Sequence, residues 1–108
     1  MSLAEKHCVP CREGAPALAA DEAKKMLAEL DGWTIEGGQR LVREWKLADF
    51  RTALALVNRI GEIAEAEDHH PDIELGWGRV AVRLWTHTAG GLTENDFIVA
   101  ARIDAARR

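Results

Sequence analysis

Two adjacent histidines, His69 and His70, stand between an acidic run and a proline in the stretch EAEDHHPDIELGW. A third, His87, follows in WTHTAGGLTEND. Imidazole titrates near neutral pH, so such side chains can bind a metal, exchange protons with a ligand, or sit protonated at a helix end. Adjacent side chains of an extended chain point to opposite sides, which works against His69 and His70 sharing one ion. The His-x-x-x-His spacing of a helical zinc site is also missing. A site of His69, His87 and one acid is the remaining metal option. Solvated residues at a helix end are the plainest reading of the dipeptide, with Glu65, Glu67, Asp68 and Asp72 favouring the protonated form if they are close in space. In the proton-transfer reading, Glu65 lies four residues before His69 and shares its helix face if the helix reaches that far.

The elements that must position these residues are legible from periodicity. Residues 1–17 read as a flexible arm, punctuated by Pro10, Gly14 and Pro16. It carries the CxxC of Cys8 and Cys11, which supplies half of a four-ligand zinc site and has no second pair to complete it. Residues 18–108 read as a single domain. Ala23, Met26, Leu27 and Leu30 predict a first helix over 19–30, with Gly32 as its capping glycine. Gly37-Gly38 predicts a hairpin whose second strand carries Leu41, Arg43, Trp45 and Leu47 on one parity. Asp49 is a good N-cap for a four-turn helix built on Phe50, Ala53, Leu54, Val57, Ile60, Gly61 and Ala64, ending near Asp68 because Pro71 disfavours a helical His70. A second hairpin turns at Gly76-Trp77-Gly78; Val80, Val82 and Leu84 alternate on its return strand, which would carry His87 on the other face if it persisted. Thr93, with Asp96 three residues on, approximates a capping box for a last helix that carries Phe97, Ala100 and Ala101 and frays into the charged tail.

This order, α-β-β-α-β-β-α, predicts an α+β fold: a four-stranded, largely antiparallel sheet with three helices packed on one face. The other face is then open to a second subunit. The formal net charge of -4 argues against a nucleic-acid surface. No apolar run reaches the length of a membrane span, and the N-terminus lacks a signal-type apolar stretch, so the expected location is cytoplasmic.

The spacing of the candidates is more informative than any one of them. Glu65, three residues, His69-His70-Pro71, five residues, Trp77, nine residues, His87, eight residues and Asp96 follow in order. Gly32-Trp33, Asp49-Phe50, Asp68, and Thr86-His87 with Gly91-Leu92 extend the pattern over roughly residues 18–104. It resembles the signature of the pterin-4a-carbinolamine dehydratase family. The resemblance implies a hydro-lyase that converts a 4a-hydroxytetrahydropterin to a quinonoid dihydropterin, supporting tetrahydrobiopterin recycling. No metal and no organic cofactor is implied, and assembly into homodimers or homotetramers through the sheet is. His69, His70 and His87 match the family's active-site histidines, and Glu65 would orient or polarise one of them. Trp33, Asp68, Pro71, Thr86 and Asp96 match positions around the pterin pocket, Asp96 with a structural role also open to it. The alternative is a pterin-fold binding or dimerisation module, coactivator-like or molybdopterin-related; an intact histidine triad favours the enzyme.

Overall fold

The structure is a computed structural model and describes residues 3–6, 8 and 17–107. Cys11 of the CxxC, with Pro10, Gly14 and Pro16, lies outside the described residues. Three α-helices, Ala20–Leu27 (α1), Phe50–Glu67 (α2) and Glu94–Arg107 (α3), pack with four strands, Thr34–Glu36 (β1), Arg40–Lys46 (β2), Asp72–Gly76 (β3) and Arg79–Leu84 (β4). The sheet order is β1-β2-β4-β3, antiparallel throughout. The α+β fold expected from the sequence is the fold formed. No helix among the described residues is long and apolar enough to cross a membrane.

Local chemistry sets most of the boundaries. Gly37 and Gly38 both take positive φ, 59° and 71°, and close the first hairpin in the handedness that matches strand twist. Asp49 caps α2 by accepting the Thr52 N–H at 2.8 Å. The helix ends when Asp68 adopts a left-handed conformation, φ 50°. The His69 N–H then bonds back to the Ala64 carbonyl at 3.1 Å and the Asp68 N–H to the Glu65 carbonyl at 3.4 Å. That is the Schellman pairing, and it swings His69 and His70 off the helix.

Three local expectations are corrected. The first helix is shorter than 19–30: after Leu27 the chain tightens, with the Leu30 N–H bonding to the Leu27 carbonyl at 3.0 Å. The buried stripe of α2 is Ala53, Leu56, Ile60, Ala64 and Glu67. Phe50 and Leu54 therefore face outward, 43% and 40% exposed. The last strand stops at Leu84, and His87 opens a short 3-10 turn, His87–Ala89, closed by Gly90 at φ 69°. The final helix runs from Glu94 to Arg107. Ile103 is buried, and the Asp104 carboxylate accepts the Trp33 indole N–H at 2.9 Å and the Arg43 guanidinium at 2.8 Å.

Leu41, Trp45, Val80, Val82 and Leu84 form the core side of the sheet. Residues Asn95–Ala100 of α3 are all buried, so the first half of this helix is enclosed on every side, with Asn95 and Asp96 as buried polar groups. The opposite sheet face is polar, with Arg79 paired to Glu44 at 3.2 Å and Arg83 to Glu74 at 3.1 Å. Such exposed pairs contribute little to stability. Of the arm, Leu3–Glu5 form a 3-10 turn, with Leu3 buried in the core cluster.

Candidate active site

A cavity of about 750 Å³ opens where the C-terminal end of α2, the turn after β4 and the start of α3 converge. His69, His70 and His87 all line it, together with Asp68, Pro71 and Thr86. Three imidazoles separated by as many as eighteen positions in the chain thus face one space.

His69 is the most constrained. Its Nε2 lies 2.6 Å from Oδ1 of Asp96, whose side chain is fully buried. The second oxygen of Asp96 accepts the Thr93 N–H and the Thr86 hydroxyl, each at 2.9 Å. Every donor around this carboxylate is therefore accounted for by protein groups, and the remaining contact requires a proton on Nε2 of His69. Neutral His69 then carries its lone pair on Nδ1, the nitrogen able to receive a proton. The Thr93–Asp96 contact is half of the capping box expected from the sequence. The short Asp side chain that weakens a box suits it to bridging the helix start and the imidazole.

His70 turns the other way. Its Nε2 contacts Oε2 of Glu65, and both side chains are more than half exposed. The expected face-sharing of Glu65 with His69 does not form, because the left-handed Asp68 breaks the helical period before either histidine. Glu65 pairs instead with His70, and Glu65 itself does not line the cavity.

His87 is placed by the 3-10 turn and by Trp85. The two rings are 4.7 Å apart, tilted at 47°. The Arg40 guanidinium sits 4.8 Å from the indole on β4's continuation. Thr86, between them, is buried and bridges to Gly91 through paired backbone bonds of 2.8 and 3.3 Å. One turn thus ties Thr86 inward to Asp96 and leaves the adjacent His87 facing the cavity.

Trp33 is not brought to this cavity. It is buried, packed edge-on against Trp45 at 5.8 Å, and bonded to Asp104. Asp104 is eight residues beyond Asp96, about 12 Å along the helix. Asp96 stands behind His69 rather than on the lining. Trp85 and Asn95, which sequence reasoning passed over, line the cavity, and so do Glu67 and Cys8, which it considered only in other roles. Glu67 carried a usable signal, since it continues the 53-56-60-64 spacing of the buried stripe. Among the described residues, no group of three or more His, Cys, Asp or Glu side chains has the arrangement to hold a metal ion.

Fold and cavity together define a small α+β protein in which three histidines line one cavity. The family described as pterin 4 alpha carbinolamine dehydratase matches residues 16–106. A Chlorobium limicola protein named for this dehydratase is 54% identical over 98 residues, covering 88% of this chain and 87% of its own. One from Rubrobacter xylanophilus, similarly named, is 47% identical over 102 residues, covering 94% and 95%. The crystal structure of a transcriptional coactivator/pterin dehydratase from Brucella melitensis superposes with a TM-score of 0.77 at 36% identity, covering 82% of this chain and 96% of that one. The chain belongs to the pterin-4-alpha-carbinolamine dehydratase family, which places it among the hydro-lyases.

Proposed function

We propose that this protein dehydrates a 4a-hydroxytetrahydropterin to the quinonoid dihydropterin by histidine acid–base catalysis, supporting tetrahydrobiopterin recycling. The observation that carries the reading is the convergence of His69, His70 and His87 on one cavity, with His69 bonded to the buried Asp96. In the reaction the C4a–O bond breaks and its electron pair leaves with the hydroxyl oxygen. A protonated imidazole supplies the proton that makes this leaving group water. The N5 lone pair forms the C4a–N5 double bond, and the N5 proton passes to a neutral imidazole. Two proton transfers at neighbouring atoms need two groups of near-neutral pKa facing one ligand.

His69→Ala and His87→Ala are each expected to slow dehydration by about 10²–10⁴-fold with the fold retained. Stopped-flow observation of carbinolamine generated in situ by an aromatic amino-acid hydroxylase measures this; wild-type rates in both variants would remove the proton-transfer reading. Assembly into a homodimer or homotetramer through the sheet belongs to the same reading and is supported by the edge positions of β1 and β3.

A second reading, a binding or dimerisation module, draws on the coactivator named in the Brucella structure's title and on Phe50, Leu54, Leu75 and Trp77, which are exposed here. Low turnover combined with capture of a defined partner by the same surface would favour it.

A further inference from the structure

One wall of the cavity is made by groups that the dehydration chemistry does not use. Glu67 is the last residue of α2, and its side chain is 4% exposed. A carboxylate so buried is stable only with partners. One oxygen accepts the Cys8 backbone N–H at 2.8 Å, and the other lies 3.7 Å from the Arg102 guanidinium. Arg102 also donates its Nε–H to the Lys6 carbonyl at 2.9 Å. The Lys6 ammonium pairs with Glu94 at 2.9 Å, and buried Leu3 anchors the start of the arm. Leu3–Lys6 and Cys8 are therefore held by charge-assisted bonds to the buried Glu67 and to Arg102, with the partly exposed Lys6–Glu94 pair beside them. Cys8, Glu67 and Asn95 line the same cavity as the histidines, and the Cys8 Sγ lies 3.6 Å from the Asn95 carbonyl.

We propose that the Glu67–Arg102 pair docks the N-terminal arm as a wall of the catalytic cavity, with Glu67 a positioning residue and Cys8 a contact that sets how tightly the pterin is held. The proposal rests on the dehydratase reading. Lys6 and Cys8 are bonded to Glu67, Glu94, Asn95 and Arg102. The arm accordingly acts on substrate retention and not on proton transfer.

Steady-state kinetics of four proteins separate these roles. Glu67→Ala removes the acceptor of the Cys8 N–H and the partner of Arg102 and is expected to raise KM about tenfold, with kcat and its pH profile within about twofold of wild type. Glu67→Gln keeps an acceptor for the Cys8 N–H and recovers part of that loss. Cys8→Trp keeps the N–H that Glu67 binds but fills the wall, and raises KM with an unchanged melting temperature. Wild-type KM in both Glu67→Ala and Cys8→Trp would overturn the proposal, as would a Glu67→Ala variant with lowered kcat and displaced pH limbs. A wild-type protein without turnover defeats the dehydratase reading instead. The arm is then tested by the Kd of a stable 7,8-dihydropterin, followed by tryptophan fluorescence; the Glu67→Ala variant must bind it more weakly, and an equal Kd overturns the proposal.

Discussion

Asp96 and His69 meet at 2.6 Å, one fully buried and the other 13% exposed at the edge of the cavity. The contact joins the first turn of α3 to the end of α2 and decides which nitrogen of His69 carries the proton. Asp96→Asn replaces an all-acceptor group with one that must also donate. Its amide oxygen can accept from the Thr93 N–H and the Thr86 hydroxyl, but the amide NH2 then faces Nε2 of His69 and favours the opposite tautomer. Dehydration is expected to fall by about 10²-fold or more, with a folded protein by circular dichroism. An unchanged stopped-flow rate would show that the tautomer does not matter.

His87 depends on the neighbouring indole for its orientation. Trp85→Ala removes a ring contact of the kind worth about 0.5–1.5 kcal/mol, and the rate is expected to drop by up to about tenfold. Trp85→Phe keeps a stacking partner and recovers most of it. The comparison is informative only as kcat, because Trp85 also lines the cavity.

The left-handed Asp68 releases both histidines from the helix. A β-branched residue resists that conformation, so Asp68→Val is expected to cost about 1–2 kcal/mol, read by urea unfolding. Asp68→Gly accepts the same φ and is expected to unfold close to the wild-type midpoint.

Asp49 gives the fold a pH dependence. The Thr52 backbone N–H, and secondarily its hydroxyl, hold the Asp49 carboxyl below its ordinary value. A folded-state pKa lower than the unfolded one contributes stability above the unfolded value and loses it as pH falls through the folded value. Asp49→Ala is therefore expected to melt a few degrees below wild type at neutral pH. That gap should close as both are melted in increasingly acidic buffer; a gap independent of pH would mean that the charge of the cap is irrelevant.

Trp33 and Asp104 close the far end of the molecule. Trp33→Phe keeps the aromatic packing against Trp45 but removes a buried donor to a carboxylate, an expected loss of about 1–3 kcal/mol in chemical denaturation. A loss near zero would assign the stability of this corner to packing alone.

Much of this architecture was legible because local rules agreed with one another. Gly37-Gly38, the Asp49 cap and the Val80-Val82-Leu84 alternation each act within a few residues, where backbone geometry leaves few choices. The orientation of α2 was less legible. Phe50 and Leu54 fit an apolar period as well as Leu56 does, and only packing against the sheet and α3 selects the buried side. The partner of Glu65 was misplaced for a related reason: helical spacing pointed to His69, but one left-handed residue ended the period.

The sequence by itself determined the order of elements, the turns, and the spacing that carries the family resemblance, because these depend on residue type and short-range sterics. Only the tertiary structure decided what faces the cavity. It joined His69 to Asp96 across twenty-seven positions and brought His87 around on a turn. It also set Trp33 apart against Asp104 and laid Cys8 beside Glu67. Those contacts arise from the burial of α3 between the sheet, α2 and the arm. Which polar side chains meet at its ends is a consequence of that packing, and no local period encodes it.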